Sequence, residues 1–335
     1  MKELIIAVPS KGRLEEKASA LFRDAGLALI RPMRGYEGRI KGLDKTRVLY
    51  LSAGEIATRL LAGDVHLGIT GEDLLREKSA DMESSVSLLH PLGFGKASVV
   101  IGIPDEWADI TTMDDLAEMA VDFRKKHNRP IRIATKYRRL TGDFLSNHGV
   151  YDAVTEYSDG ATEGAPASGA AEAIVDITST GETLKANGLR ILKDGLLLES
   201  EANLVASLGA AWEEIPLLQA KALLTQLEAR LRAPRYYKMQ LIVYGTAGYG
   251  AGTQYDIGIN YKEEVEKFTN KYGAHYIGQN KFLVPKNEGS IHEICEALLK
   301  RFACDAIIQE PEQVMIYKQN NLFFSRLLSG LEDAL

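Results

Sequence analysis

Glu172-Ala173-Ile174-Val175-Asp176-Ile177-Thr178-Ser179-Thr180-Gly181-Glu182-Thr183-Leu184 runs an apolar stretch straight into an acid, then into hydroxyl residues around a glycine. Such a run reads as a strand of a buried parallel sheet whose carboxyl end opens into a loop before the next helix. Hydroxyls and backbone N–H groups around Gly181 converge on one anion, and a helix starting at Thr183 adds the positive end of its dipole. Asp176 at the strand tip is acceptor-only when ionised, which suits the vicinal hydroxyls of a ribose or a magnesium-linked water. Phosphate on one side and ribose on the other point to a phosphoribosyl group, with Asp176, Thr178, Ser179, Thr180, Gly181, Glu182 and Thr183 as its ligands. The plainer reading is a strand–turn–helix connection with a polar cap, and the acidic strand tip weighs against it.

Outward from this stretch, strand and helix patterns alternate. Residues 4–8, 48–51 and 66–69 read as strands, with helices over 14–25 and after Ser52. A second set follows, with strands at 97–103, 131–134 and 173–177 and helices at 113–127 and 141–148. This alternation predicts two α/β lobes with ligands outside the carboxyl ends of the strands. Lobe I is expected over 1–93 and 183–232, and lobe II over 94–182.

Composition changes near Pro234. Nine of the 14 tyrosines lie from Tyr236 onwards, and an Ala/Leu/Arg-rich helix at 217–232 precedes the break. Residues 233–335 read as a small α+β domain, ferredoxin-like, with strands at 239–244, 281–284, 306–308 and 314–317 and helices at 262–272 and 290–302. The break indicates separate ancestry or an artificial junction, and the domain is expected to serve regulation or oligomerisation.

The chain has 335 residues, 45% hydrophobic and 26% charged, with formal net charge −6. That supports more than one core and disfavours a nucleic-acid groove or an anionic membrane surface. Cys295 and Cys304 show neither disulfide nor metal-ligand spacing and fit a reducing cytoplasm. The N-terminal apolar run is too brief for a signal peptide, and no stretch approaches the roughly 20 apolar residues of a membrane span.

Other cation-bearing turns surround the first. Ser10-Lys11-Gly12-Arg13 sits at a strand-to-helix turn, where Lys11 and Arg13 suit phosphate. Arg34 and Arg39 flank Gly35 and Gly38 in an expected flexible loop. Glu72 and Asp73 follow Gly68-Ile69-Thr70-Gly71, placed to cap a helix or to hydrogen-bond a base. Thr135-Lys136-Tyr137-Arg138-Arg139-Leu140-Thr141 offers three cations as a pyrophosphate or triphosphate landing site, with Thr141 as a helix cap. Glu163 lies in a small-residue loop just before the phosphoribosyl segment, and His66 reads as a packed residue rather than a base. The glycine-rich stretch 245–252 lacks dinucleotide-fingerprint spacing and reads as a mobile loop.

Together these segments, in order over about residues 4–232, resemble the ATP phosphoribosyltransferase family, which carries out the first step of histidine biosynthesis. Residues 176–187 are the most specific part of the match, and residues 160–169 resemble the family's short form. The resemblance implies a two-lobed fold like type II periplasmic binding proteins, with ATP and phosphoribosyl pyrophosphate as substrates and Mg²⁺ as cofactor. It implies that residues 176–183 hold the 5-phosphate and ribose. It likewise implies that Arg13 and an arginine of the Arg34/Arg39 loop contact ATP or the leaving pyrophosphate. Arg13, Arg34 and Lys136 are the candidate catalytic cations. Lys11, Arg39, Glu72, Asp73, Tyr137 and Glu163 join the phosphoribosyl segment as candidate substrate ligands, and no protein-held metal is expected. A homo-oligomer, a regulatory subunit resembling histidyl-tRNA synthetase and inhibition by histidine are further implications. Competing readings are a non-catalytic two-lobed binding protein and a phosphoribosyltransferase acting on another base.

Overall fold

The computed structural model describes residues 3–31, 35–243, 271, 273–278, 281–286, 304–311 and 322–334. Its first sheet has the spatial order β2 (Leu29–Ile30), β3 (Glu37–Ile40), β4 (Leu43–Leu51), β1 (Leu4–Pro9), β5 (Leu67–Gly71), β12 (Ala202–Ser207), β6 (Val86–Pro91). Parallel pairing of β1 with β4 and β5 makes its core, and every residue of β1 is buried, as its unbroken apolar run requires. Helices α1 (Gly12–Asp24), α2 (Ala53–Ala62) and α3 (Glu72–Lys78) follow β1, β4 and β5. Ile56, Ala57 and Leu60 of α2 pack with Ile5, Ala7 and Leu49 of the sheet. Ser52 caps α2 through the Glu55 N–H, as the sequence predicts.

The second sheet runs β11 (Leu189–Ser200), β7 (Ala97–Pro104), β10 (Ala173–Thr178), β8 (Ile131–Thr135), β9 (Ala153–Tyr157). β10 is parallel to β8, and β8 to β9, whereas β7 is antiparallel to both β10 and β11. Helices α4 (Met113–His127), α5 (Arg138–Asn147) and α6 (Glu182–Ala186) belong to this lobe. Residues 183–200 were expected in lobe I, yet β11 pairs with β7 across the second sheet, and the return to the first sheet comes only at β12. β11 buries Leu189 and Leu192 in two different core clusters while Lys193, Asp194 and Glu199 are exposed, the pattern of an edge strand with a bulge. The expected helix at 141–148 begins earlier, at Arg138, so Thr141 lies inside it and caps nothing.

A third sheet, order β14 (His275–Gly278), β15 (Lys281–Pro285), β13 (Tyr236–Val243), β16 (Cys304–Gln309), is antiparallel throughout. In chain order that is 2-3-1-4, the order of the ferredoxin-like split βαβ arrangement. Apart from Lys271, the expected helices at 262–272 and 290–302 lie outside the described residues. So do the strand at 314–317, the glycine-rich stretch 245–252 and Cys295. Helix α8 (Leu322–Asp333) closes the chain.

The chain divides into two compact units: Met1–Ala20, Leu29–Ala220 and Arg326–Leu335 form one, and Leu21–Ala28 with Lys221–Ser325 the other. The division therefore falls within α7 (Glu214–Arg232) and α8, not at the expected boundary of 232/233. In the second unit Glu228 of α7 accepts a hydrogen bond from the Leu322 N–H at 3.2 Å, and Ala233 packs on Leu283. In the first unit Arg326 donates to the Leu89 carbonyl of β6 at 2.6 Å. Among the described residues no helix is long and apolar enough to cross a membrane.

Candidate active site

Parallel strands share a carboxyl edge, and in lobe I that edge carries residues 10–13, Ser52 and residues 71–72. The Ser10 N–H donates to the Leu51 carbonyl at 2.9 Å, and Gly12 takes φ 73°, turning the chain directly into α1. Lys11 and Arg13 project from this turn, exposed and without a partner among the described residues. Arg31, which the sequence does not single out, donates to the Ser10 carbonyl at 3.4 Å and stacks 4.3 Å over the Tyr50 ring. Arg39 lies on β3, not in a flexible loop, with its side chain exposed; Arg34 is outside the described residues.

In lobe II the carboxyl ends of β8 and β10 bring Lys136, Asp176 and residues 178–183 together. Asp176 Oδ1 accepts from the Ile177 N–H at 2.8 Å. Burial raises its pKa above the ordinary aspartate value; Lys136 opposes the rise, and Glu163 and Asp159 add to it. Asp176, Lys136 and Glu163 thus form one electrostatic group. Glu163 stands on a single 3-10 turn, Thr162–Gly164, entered through Ala161 at φ 51°, a left-handed backbone that a residue with a Cβ adopts at a cost. In the phosphoribosyl loop, Thr178 Oγ1 accepts from the Gly181 N–H at 2.9 Å and Thr180 Oγ1 from the Glu182 N–H at 3.4 Å. Gly181, at φ 76°, makes the turn possible. Ser179, Thr180, Glu182 and Thr183 are exposed and open to a ligand. The helix starts at Glu182 instead of Thr183 and spans five residues, so its dipole contributes less than the sequence reading expects.

Two expected ligands are committed elsewhere. The Tyr137 hydroxyl donates to Asp73 Oδ2 at 2.7 Å, and Ser200 Oγ donates to Asp73 Oδ1 at 2.7 Å while accepting from the Asp73 N–H at 3.1 Å. Asp73 is 5% exposed and Tyr137 1%, so both are buried with their polar groups bonded within the protein. Gly71 makes room for this clasp: a Cβ there would lie 2.2 Å from Asp73 Oδ1. Burial, and then the Asp73 charge, push the Tyr137 hydroxyl far above its usual pKa, which keeps it a donor. Asp73 follows β5 of the first sheet, whereas Tyr137 follows β8 and Ser200 ends β11 of the second. The three bonds therefore tie one lobe to the other.

Arg139 reinforces this tie, since its N–H donates to Glu77 Oε1 at 3.0 Å and its guanidinium to the carbonyls of Glu77 and Arg76. It is consequently no phosphate ligand, and the expected three-cation landing site reduces to Lys136 and the exposed Arg138. Thr135 Oγ1 accepts from the Tyr137 N–H at 2.8 Å, orienting the residue that follows Lys136.

At the base of the cleft, between the two carboxyl edges, lies a cavity of about 570 Å³ whose lining includes Glu72, Lys96, Ser98, Glu199, Glu201 and Asn203. Glu72 pairs with Arg76 at 2.7 Å, and Glu201 accepts from the Gly93 N–H at 2.9 Å. Lys96 and Glu199 are unpaired among the described residues. Neither carries a sequence signal, because both flank crossover segments whose meeting is a property of the fold. His66 is fully buried; its Nδ1 accepts from the Ile5 N–H at 3.1 Å, and burial lowers its pKa, so it packs as a neutral ring. Among the described residues no group of three or more His, Cys, Asp or Glu side chains is placed to hold a metal ion.

The HisG family of ATP phosphoribosyltransferases matches residues 52–232. An ATP phosphoribosyltransferase of Bradyrhizobium sp. (strain ORS 278) is 53% identical over 239 residues, 71% of this chain and 74% of the relative. One from Afipia carboxidovorans is 53% identical over 243 residues, 72% and 75% of the two chains. Among solved structures, the ATP phosphoribosyl transferase (HisG:HisZ) complex from Thermotoga maritima aligns with TM-score 0.53 and 25% identity over 67% of this chain and 96% of that one. A two-lobed α/β body carrying an acidic strand tip and a hydroxyl-rich loop, more than half of it covered by one family, belongs to the HisG ATP phosphoribosyltransferases.

Proposed function

We propose that this chain's ATP phosphoribosyltransferase reaction runs in the cleft between the two lobes, with residues 178–183 on the 5-phosphate and Asp176 on the ribose hydroxyls of phosphoribosyl pyrophosphate. N1 of the adenine attacks C1 of the ribose, and pyrophosphate departs from the opposite face. The protein's share is alignment and electrostatics. Lys136, whose charge acts on Asp176, meets the negative charge that grows on the departing oxygens, and Glu163 supplies an acidic group near the sugar. Lys11 and Arg13, free at the opposing edge, take the ATP phosphates, with Arg34 and Arg39 as further candidates. The observation that carries this reading is Asp176 at the carboxyl end of β10, followed at once by the exposed hydroxyl loop that turns at Gly181 into a helix.

Magnesium would enter as the companion of pyrophosphate. Asp176 and Glu163 are the carboxylates that would hold it, through water, and the ion would neutralise charge on the leaving group. A homo-oligomer, a location in the cytoplasm, a histidyl-tRNA-synthetase-like regulatory subunit and histidine inhibition complete the proposal. The partner complex described for the Thermotoga relative supports the subunit. The test is the absorbance change that accompanies N1 alkylation when the protein is mixed with ATP, phosphoribosyl pyrophosphate and Mg²⁺, with and without histidine. Product from ATP and none from other bases is expected; no product, with or without a short-form regulatory subunit, would remove the assignment of the cleft.

A further inference from the structure

We infer that α3 of lobe I positions the lobe II cation Lys136, and that Tyr137 is the positioning residue through which it acts. The inference rests on the role given to Lys136 above and adds to it how that ammonium is aimed.

The backbone is held on both sides of Lys136. Before it, Thr135 is fully buried, and its Oγ1 accepts from the Tyr137 N–H at 2.8 Å, closing a tight turn around residue 136. After it, two carboxylates of α3 take hold. Asp73 Oδ2 accepts from the Tyr137 hydroxyl at 2.7 Å, and Glu77 accepts from the Arg139 and Leu140 N–H groups at 3.0 Å each. Asp73 and Glu77 are four residues apart, so they stand on one face of α3. The two N–H groups that Glu77 satisfies belong to the first turn of α5, where a helix has no partner of its own to offer. One short helix of lobe I therefore caps α5 and pins the residue that precedes it.

The Tyr137 ring carries this grip to the charge. Lys136 Nζ lies 5.1 Å from the centroid of that ring, within the range at which an ammonium is drawn to an aromatic face. The ring is buried and its hydroxyl end is anchored, so it is a fixed platform, and the ammonium it holds is the one whose charge acts on Asp176. Ser200 Oγ donates to the other oxygen of Asp73, and Gly71 leaves room for that carboxylate, so the anchor is itself held in place. A lysine on a flexible stem is thereby oriented before substrate arrives, which is where electrostatic catalysis gains most. Lobe I, which carries Lys11 and Arg13, thus also dictates where the cation of lobe II stands.

The experiment is a double-mutant cycle in kcat on the full chain: wild type, Tyr137→Phe, Lys136→Met and the two combined, at a temperature where circular dichroism shows all four folded. Phenylalanine keeps the platform and removes only its anchor. Lys136→Met is expected to lower kcat by about tenfold or more, and Tyr137→Phe by about threefold or more with the KM for phosphoribosyl pyrophosphate within about twofold. If Tyr137 acts through Lys136, its anchor matters little once the ammonium is gone, so the combined variant should match Lys136→Met within about twofold. Glu77→Ala repeats the cycle with the clasp intact, and it decides the matter if Tyr137→Phe does not fold. A general packing defect would lower kcat by the same factor in either background. That equal loss, or an unchanged kcat in both Tyr137→Phe and Glu77→Ala while Lys136→Met is impaired, would overturn the inference alone. Wild-type kcat in Lys136→Met would instead strike at the role of Lys136 in the cleft, and the inference would fall with it.

Discussion

Thr183 sits exposed one residue into a five-residue helix, so its hydroxyl is available to phosphate without breaking any bond within the protein. Thr178 and Thr180, by contrast, spend their oxygens on shaping the loop. Thr183→Ala is therefore expected to weaken phosphoribosyl pyrophosphate binding by about 1–3 kcal/mol, the scale of a hydrogen bond to a charged group, with folding stability unchanged. Isothermal titration with the substrate checks it, and unaltered affinity would remove Thr183 from the phosphate shell. The strand-to-helix turn at 176–183 was legible because its chemistry is contiguous: acid, hydroxyls and glycine stand in one run. The bond between Asp73 and Tyr137 was not legible for the same reason in reverse. Each follows a strand in a polar turn, and nothing local says that a residue 64 positions away will consume both polar groups.

At the scale of elements, Glu172 shows how a single side chain sets a strand. It precedes β10 and accepts from Arg129 at 3.0 and 2.9 Å and from the Arg132 N–H at 2.7 Å, tying the entrance of β10 to that of β8. Desolvation of the half-enclosed carboxyl raises its pKa, but the bonds from Arg129 and Arg132 outweigh it and hold the group at about 2. A depressed carboxylate pKa stabilises the fold above the unfolded value of 4.5, and that stability drains away as pH falls from 4.5 towards about 2. Glu172→Gln should accordingly unfold at lower denaturant than wild type at pH 7, with the gap narrowing through that acid window. A gap that persists undiminished to pH 2.5 would show that the charge is not its source. Elements with continuous apolar runs, β1 and β10, were readable from sequence. Short or half-buried ones, β9, β11 and β14, were not, because a two- or three-residue apolar signal is decided by the neighbouring strand.

Across the whole molecule, the first two sheets behave as lobes joined by buried hydrogen bonds as well as by chain. Tyr137→Phe leaves the Asp73 carboxylate buried with one donor fewer, and a loss of about 1–3 kcal/mol in equilibrium unfolding is expected. Because Tyr137 follows Lys136, kcat should fall with it; full stability would show the clasp to be dispensable. The far end of the chain makes a separate prediction. Residues 326–335 belong to the unit that holds both lobes, with Arg326 bonded to edge strand β6. A chain ending at residue 325 should melt several degrees lower than the full chain, the scale of about 1–2 kcal/mol for a unit of this size. An unchanged melting temperature would show those residues to be idle. The sequence reading placed the domain boundary at a composition break, which marks where residue usage changes. It could not show that the last turns of the chain rejoin the beginning.

The clasp has a consequence for how this protein can be taken apart. Its three residues come from positions 73, 137 and 200, so no cut between them leaves a fragment with the set intact. A piece ending before β11 keeps a carboxylate and a phenol but loses the serine, and a piece beginning after α3 carries the phenol and serine with nothing to receive their protons. Lobe exchange between relatives would therefore have to carry all three partners together, and recombinants with a crossover inside 73–200 would be the ones selected against.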